Sequence, residues 1–271
     1  MTKTNVGGFN LHYEDTGAGQ PLVLIPGLSC DHTVFAQTQV PAFAAAGYRC
    51  VSIDNRDVGQ SDSSPVDQYS LRDMAADVAA IIRGLGLGPA HVLGWSMGGM
   101  IAQELALNHA DCVSTLTLYA ADAGRNPRLK AWLESMILIR SRTTLTEFMT
   151  CVCPWMFNPR FFGIVGAVEG VIAMAAANPY PQPPDAFARQ SRAIINHDAV
   201  ERLVTIRVPT HVIAGEDDIV ILPDQSRVLA QGIPGARFTV LRGVGHCAVW
   251  EDTASFNQAV IDFLGVVAAT T

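Results

Sequence analysis

The sequence has no long hydrophobic run. No uncharged apolar stretch approaches the roughly 18 to 20 residues that a membrane-spanning helix needs. The opening residues, MTKTNVGGF, also lack the apolar core of a signal peptide. We therefore expect a soluble, cytoplasmic protein that has no membrane partner.

Basic clusters and nucleotide-binding glycine motifs are missing as well. The 18 Lys and Arg residues are scattered among 25 Asp and Glu residues, which gives a net charge of −7. No basic run is long enough to follow a phosphate backbone, so we expect no nucleic-acid partner. Neither G-x-G-x-x-G nor G-x-x-x-x-G-K-[ST] occurs, which leaves oxidoreductase and kinase interpretations without support. We expect no cofactor.

The six cysteines show no metal-ligand spacing. Cys151 and Cys153 form a close pair, but no second Cys or His pair follows at the spacing of a metal site. A chain of 271 residues without a signal peptide does not need disulfides. We expect free, mostly buried thiols and no metal. Cys247 follows a histidine, and we expect it to be more exposed than the others.

Short apolar stretches alternate with helical patterns along most of the chain. A hairpin with Gly7 and Gly8 at its turn opens the sequence. From Ser70 onward apolar residues recur at helical spacing, with Ser70 as the N-cap and Asp73 three residues on. The later predicted strands are 22–25, 51–53, 91–93, 113–119, 210–214 and 237–241. This alternation predicts an α/β fold in which helices flank a mostly parallel central sheet.

Residues 122–200 interrupt the alternation. They contain several Met and aromatic residues and no convincing strand. The candidate helices cover residues 129–140, 144–149, 161–177 and 184–195. We interpret 122–200 as a helical lid inserted between two consecutive strands, so that residues 1–121 and 201–271 form the core.

A serine stands at a strand–helix corner in the stretch HVLGWSMGGMIAQELAL. Gly94, Trp95, Ser96, Met97 and Gly98 match G-x-S-x-G, after a short apolar strand and before a helical pattern. In that context the motif presents a nucleophilic hydroxyl above the sheet, beside the free N–H groups of a helix N-terminus. The alternative is a glycine-rich turn in which Ser96 merely caps a helix. The residues downstream decide between the two.

A nucleophilic serine needs a base that is oriented by an acid, and on such a corner the partners follow in the order serine, acid, histidine. His246 lies in a loop after a late strand and is the histidine that fits this order. Three acids after the preceding strand compete for the other role. The spacing G-x-x-D, counted from Gly215, selects Asp218. Asp217 is the second choice, and Glu216 is the least favoured.

Two backbone N–H groups are expected to bind an oxyanion. One belongs to Met97, directly after the nucleophile, and the other to Leu28 in the loop P-G-L-S-C-D, with Ser29 as the neighbour if that loop is shifted. Trp95, Ser29, His32 and Trp155 are candidates to line the substrate pocket. The arginines at 125, 128, 140 and 142 could receive a substrate carboxylate, but a solvated surface explains them equally well.

The segments IPGL, DNRDVGQSD, GWSMGG, AGEDD and GVGH together resemble the α/β-hydrolase superfamily, and the resemblance covers nearly the whole chain. Within it the chain is similar to small bacterial esterases and 3-oxoadipate enol-lactonase-like hydrolases with a helical cap. The chain departs from the usual pattern at Pro26, where a histidine is common, and at Asp57, where a glycine is common. The resemblance implies an α/β-hydrolase fold and no cofactor.

These observations predict a serine hydrolase that cleaves a carboxylic ester or lactone through an acyl-enzyme on Ser96. Two alternatives stay open. One is a ligand-sensing signalling hydrolase of slow turnover, and the other is a perhydrolase or carbon–carbon bond hydrolase that uses the same triad. The expected partner is a small-molecule ester or lactone, and a homo-oligomer is compatible with the sequence.

Overall fold

A single eight-stranded sheet runs through the computed structural model, which describes residues 2–268. The strand order is β1-β2-β4-β3-β5-β6-β7-β8. Strands β3 to β8 pair in parallel, whereas β1 and β2 pair antiparallel at one edge. The strands are β1 Lys3–Asn5, β2 Asn10–Thr16, β3 Gln20–Ile25, β4 Tyr48–Ile53, β5 Ala90–Trp95, β6 Val113–Tyr119, β7 Thr210–Gly215 and β8 Arg237–Leu241. The predicted α/β fold with a mostly parallel sheet is confirmed.

Helices connect the parallel strands, as parallel pairing requires. They are α1 Thr33–Ala36, α2 Gln39–Ala45, α3 Leu71–Gly84, α4 Met97–Asn108, α5 Pro127–Arg140, α6 Leu145–Met156, α7 Pro159–Phe162, α8 Ala167–Ala176, α9 Pro184–Ile195, α10 Pro223–Gly232, α11 Ala248–Glu251 and α12 Thr253–Ala268. Helix α3 begins with the predicted capping box, in which the Ser70 hydroxyl accepts from the Asp73 N–H and the Asp73 carboxylate accepts from the Ser70 N–H.

Both faces of the sheet are buried. Along β3, Val23 and Ile25 belong to one apolar cluster, while Leu22 and Leu24 belong to another on the opposite face. Side chains that alternate between two faces are the geometry of a strand. Apolar residues on both faces are typical of a sheet that has helices packed on each side. The sheet is therefore a rigid platform, and the polar residues at the carboxyl ends of its strands are free for other roles.

Helices α5 to α9 lie between β6 and β7, and we call residues 127–195 the helical segment. The two strands that flank it pair directly, for example Leu118 with Val212. Two helix predictions here were inaccurate. Helix α6 continues past residue 149 to Met156, with Pro154 in its last turn. The stretch 161–177 is not one helix, because α7 ends at Phe162 and Gly166 adopts a left-handed conformation (φ 78°) before α8.

Within residues 2–268, every helix is too short or too polar to serve as a transmembrane span. All six cysteines are free thiols, as predicted. The expectation that Cys247 is more exposed than the others was wrong, since its side chain is buried while Cys151 is exposed. Burial raises the pKa of the Cys247 thiol well above its usual value, because a thiolate would lose its hydration there.

Candidate active site

Ser96 occupies the sharp corner between β5 and α4. Its backbone has φ 56° and ψ −118°, a conformation that non-glycine residues rarely adopt. The glycines around it serve close packing. A side chain at Gly94 would lie 2.2 Å from the Gly98 carbonyl oxygen, and one at Gly98 would lie 2.0 Å from the Ile25 carbonyl oxygen. Glycines therefore let the corner fold tightly onto β3, and the strained residue is the serine itself.

Ser96, His246 and Asp218 form a continuous chain of hydrogen bonds. The His246 Nε2 atom lies 3.0 Å from the Ser96 Oγ atom, and His246 Nδ1 lies 2.8 Å from Asp218 Oδ2. The imidazole and the carboxylate are almost completely buried. With Nδ1–H donating to the carboxylate, Nε2 is left as an acceptor for the serine hydroxyl proton. These are the three residues that the sequence predicts for the triad, and the fold brings them together.

The three candidate acids have different surroundings. Asp218 is buried after β7, and its second carboxylate oxygen accepts the N–H groups of Val220 (2.8 Å) and Ile221 (3.0 Å). Asp217 is exposed. Glu216 is exposed too, and its carboxylate accepts the Gly243 N–H at 2.9 Å. Among the three, Asp218 is therefore the acid that contacts the histidine, and the backbone fixes its orientation.

A partly buried glutamate holds the loop that carries His246, and sequence reasoning did not find it. The Glu251 carboxylate accepts the N–H groups of Gly245 (3.0 Å) and Cys247 (3.1 Å), which flank the histidine. It also accepts the Asn158 N–H at 3.0 Å. Burial raises the pKa of Glu251. The only sequence signal is a single acid in the otherwise apolar stretch AVWE.

Two aromatic side chains support the same loop. The Trp95 indole N–H donates to the His246 carbonyl oxygen at 3.0 Å. The Tyr119 hydroxyl donates to the Gly245 carbonyl oxygen at 3.0 Å and accepts the Ala248 N–H at 2.8 Å. Burial and the nearby Asp218 carboxylate raise the pKa of Tyr119, so its hydroxyl stays a donor. The imidazole position is thus set by backbone contacts on both sides.

The loop after β3 lies against the serine. A side chain at Gly27 would come within 3.3 Å of the Ser96 Cβ atom. The Ser29 N–H donates to the Gln190 side chain at 3.2 Å, whereas the Leu28 N–H donates to no protein group within residues 2–268. Met97 is the first residue of α4, so its N–H has no partner within the helix. Leu28 and Met97 therefore offer free N–H groups, and Ser29 does not.

A cavity of about 190 Å³ opens above Ser96. Trp95 and Ser29 line it, as the sequence suggested, but His32 and Trp155 are not among the residues that do. Trp155 is 40% exposed and packs against Trp132, which does line the cavity. The helical segment contributes most of the wall, through Leu129, Trp132, Leu133, Met136, Phe148, Met149, Val152, Cys153, Met156, Phe157, Val171 and Met174.

His32 belongs to a different cluster, with His12 and Asp54, whose potential ligand atoms lie within 4.8 Å of one another. The Asp54 carboxylate accepts from the His32 ring and backbone N–H groups at 2.7 Å and from the Gln60 N–H at 2.8 Å. These bonds use the Asp54 oxygens and the His32 Nδ1 atom, which a metal would otherwise need. The cluster is thus explained as a hydrogen-bonded support for the loop after β3.

The helical segment is tied to the sheet through Asp57, the residue that stands where the resemblance has a glycine. Its backbone is left-handed (φ 70°), as a glycine's could be. The Asp57 carboxylate accepts two hydrogen bonds from the Arg189 guanidinium, both 2.9 Å, and one from the Tyr69 hydroxyl at 2.7 Å. These hydrogen bonds outweigh the cost of burial and lower the pKa of Asp57. The carboxylate therefore anchors α9.

Known proteins resemble this chain over almost its full length. A model of the alpha/beta hydrolase family matches residues 22–259. A Mycobacterium tuberculosis protein named "Putative non-heme bromoperoxidase BpoC" is 31% identical over 264 residues, which cover 96% of this chain and 99% of that protein. A 2-hydroxy-6-oxononadienedioate/2-hydroxy-6-oxononatrienedioate hydrolase of Paraburkholderia phymatum is 31% identical. The alignment covers 94% of this chain and 91% of the length of that protein.

A solved structure agrees with these relatives. The enol-lactonase from Burkholderia xenovorans LB400 superimposes with a TM-score of 0.88 at 27% sequence identity, covering 97% of this chain and all of that chain. The family match includes residues 22–25 of β3, the corner serine, both partner residues and the helical segment.

Proposed function

The chain belongs to the alpha/beta hydrolase family, and on that premise we propose that it is a serine hydrolase that cleaves carboxylic esters or lactones through an acyl-enzyme. The observation that carries the proposal is the hydrogen-bonded chain from Ser96 Oγ through His246 to Asp218, with distances of 3.0 and 2.8 Å. A serine within reach of a base, which is in turn oriented by a buried acid, is the requirement for nucleophilic catalysis by a hydroxyl.

The reaction begins with acylation. His246 Nε2 takes the proton of the Ser96 hydroxyl while Oγ attacks the carbonyl carbon of the substrate. The Leu28 and Met97 N–H groups hold the negative oxygen of the tetrahedral intermediate. When that intermediate collapses, the imidazolium gives its proton to the leaving alkoxide, and the alcohol departs or, in a lactone, stays attached as a hydroxyl.

Deacylation repeats the steps with water. His246 takes a proton from a water molecule, whose oxygen attacks the acyl carbon, and then returns that proton to Ser96 Oγ as the carboxylic acid leaves. Asp218 keeps Nδ1 protonated throughout and stabilises the imidazolium. Over both half-reactions one water molecule is consumed for each ester bond cleaved, and Ser96 and His246 return to their starting protonation states.

The test is hydrolysis of p-nitrophenyl esters of increasing acyl length and of simple lactones by the natural protein and by Ser96→Ala. We expect the variant to lose about 10⁴-fold or more of kcat, because it lacks the nucleophile. Ser135→Ala is the matched control, since that serine lies exposed on α5. Equal turnover by the natural protein and by Ser96→Ala would contradict the proposal.

A second candidate is perhydrolysis, favoured by the name of the Mycobacterium tuberculosis relative, which is 31% identical. Here hydrogen peroxide replaces water, attacks the acyl carbon and leaves as a peracid, while Ser96 regains its proton. The peracid then oxidises bromide in solution. Adding peroxide and bromide to the ester assay tests this: bromination that Ser96→Ala lacks supports it, and unchanged carboxylic acid formation without bromination rules it out.

The name of the Paraburkholderia phymatum relative favours carbon–carbon bond hydrolysis, and its substrate is a dioate, which carries two carboxylates. The slow signalling hydrolase stays a prediction. Turnover measured on the ester series bears on both, because brisk ester hydrolysis argues for the first proposal over either of them.

A further inference from the structure

The wall of the cavity above Ser96 contains no acidic side chain and no Lys or Arg among residues 2–268. Apart from His246, its polar side chains are the neutral Ser29, Ser96, Asn178 and Gln182. The remainder is aliphatic, aromatic, thioether or thiol. A bound carboxylate would therefore find no opposite charge in contact with it.

None of the four arginines at 125, 128, 140 and 142 lines the cavity. Arg125 is exposed and pairs with Asp198 (2.8 Å) and Glu201 (2.9 Å). Arg128 donates to the carbonyl oxygens of Ile219 and Val220. Both guanidinium groups lie outside the cavity wall, and so does the exposed Arg142.

Arg140 lies one layer behind the wall. Its guanidinium donates to the Gln182 carbonyl oxygen at 2.9 Å and sits 5.8 Å from the centre of the Phe148 ring. Phe148 itself lines the cavity. The ring thus separates this cation from any bound acyl group.

The neutral amide side chains of the wall donate hydrogen bonds to other protein groups. The Gln182 Nε2 group donates to the Asp57 carbonyl oxygen at 3.1 Å and to the Gln190 side chain at 3.0 Å, which uses both of its hydrogens. The Asn178 Nδ2 group donates to the Asp31 carboxylate at 2.8 Å. Both amide hydrogens of Gln182 and one of Asn178 are therefore occupied by the protein, and the donors left in the wall are neutral, among them the buried Trp132 indole N–H.

We infer that this cavity selects esters and lactones with an uncharged, apolar acyl group and rejects those whose acyl group ends in a carboxylate. The inference rests on the proposed function. A carboxylate loses its hydration in such a site and gains no Lys or Arg partner in return, and burial of a charge without an opposite charge is costly. A dry apolar cavity of about 150 Å³ binds benzene, so about 190 Å³ admits a phenyl group or a short alkyl chain of similar size.

The test compares three p-nitrophenyl esters at neutral pH whose acyl groups are built on the same six-carbon chain. The first is the hexanoate, the second is the monoester of adipic acid with a free terminal carboxylate, and the third is that same monoester with its carboxylate capped as a methyl ester. Ser96→Ala supplies the background rate for each. We expect kcat/KM for the free acid to be about 1,000-fold below that for the hexanoate, and the methyl ester to recover most of the loss.

The outcomes separate the two proposals. If the free acid is hydrolysed within tenfold of the hexanoate, the inference fails while the proposed function stands. If the methyl ester is as poor as the free acid, the cavity discriminates by polarity or length rather than by charge, and the inference fails again. If the natural protein exceeds Ser96→Ala on none of the three esters, nor on any shorter ester or lactone, the proposed function itself fails.

Discussion

The two sides of the cavity are built from different interactions. On the side of the sheet, directional hydrogen bonds fix each polar group: Asp218 is held by two backbone N–H groups, and the His246 loop is held by Glu251. On the side of the helical segment, the wall is a packed apolar cluster that includes Met136 and Phe148. Hydrogen bonds impose angles, whereas apolar packing tolerates exchanges of similar volume. The chemistry is therefore rigidly specified, and the shape of the substrate is open to variation.

The largest effect is expected from the sheet side. Asp218→Asn keeps the shape of the side chain but removes the negative charge and favours the wrong imidazole tautomer. We expect kcat for ester hydrolysis to fall by about 10⁴-fold, with the fold retained. The measurement is steady-state kinetics together with circular dichroism.

Asp217→Asn is the matched control for that variant, because Asp217 is the neighbouring, exposed acid of the same turn. We expect its kcat to stay within twofold of the natural protein. A loss in Asp217→Asn that equals the loss in Asp218→Asn would mean that the turn as a whole, rather than the contact with His246, supports catalysis.

A smaller effect is expected where the helical segment rejoins the core. Glu104 on α4 is buried and paired with Arg202 and His197, which follow the segment. Burial opposes ionisation, but the hydrogen bonds from Arg202 and His197 prevail and lower the pKa of Glu104 to about 2. Glu104→Gln should reduce the free energy of unfolding at neutral pH by about 2 kcal/mol, because it removes a buried carboxylate from its contacts with the buried His197 and the partly exposed Arg202.

The pH dependence of that loss identifies its cause. The pKa of Glu104 in the folded state is lower than its ordinary value of 4.5, so the ionised carboxylate stabilises the fold at every pH above about 4.5. This contribution is lost as the pH falls from 4.5 toward 2. The difference between the natural protein and Glu104→Gln, measured by urea denaturation, should therefore shrink on acidification. A difference that is the same at every pH would show that packing, rather than ionisation, is responsible.

The smallest effect is expected in the apolar wall. Met149 on α6 lines the cavity, and Met149→Ala enlarges the space available to an acyl chain. We expect the ratio of kcat/KM for long over short p-nitrophenyl esters to rise about tenfold, because one additional methylene bound in an apolar pocket changes kcat/KM by about that factor. Cys151→Ala on the exposed face of the same helix is the control and should leave the ratio unchanged.

Chain order allowed much of the site to be predicted. The corner serine follows β5, and the acid and the histidine follow β7 and β8, so parallel strands bring their carboxyl ends to one edge. The choice of Asp218 among three adjacent acids also agrees with its contact to His246. Each of these strands is short and is followed directly by polar residues, so its end can be located in the sequence and the position of the next residue in the fold follows from it.

The cavity wall could not be predicted in the same way. Trp132 lines the cavity and Trp155 does not, although both are tryptophans of the helical segment. Helices that carry apolar residues on more than one face give no periodic signal for which face turns inward. Nor could the loop contacts of Glu251 be foreseen, because its partners are backbone N–H groups, which every sequence supplies.

The left-handed backbone of Ser96 sets stability and activity against each other at one position. A non-glycine residue with φ near 56° costs of order 1–3 kcal/mol that the rest of the fold must offset. Glycine would relieve this cost and, on the proposed function, remove the nucleophile at the same time. Selection for stability alone would therefore favour glycine at this position, and the presence of a strained serine supports the proposed catalytic role.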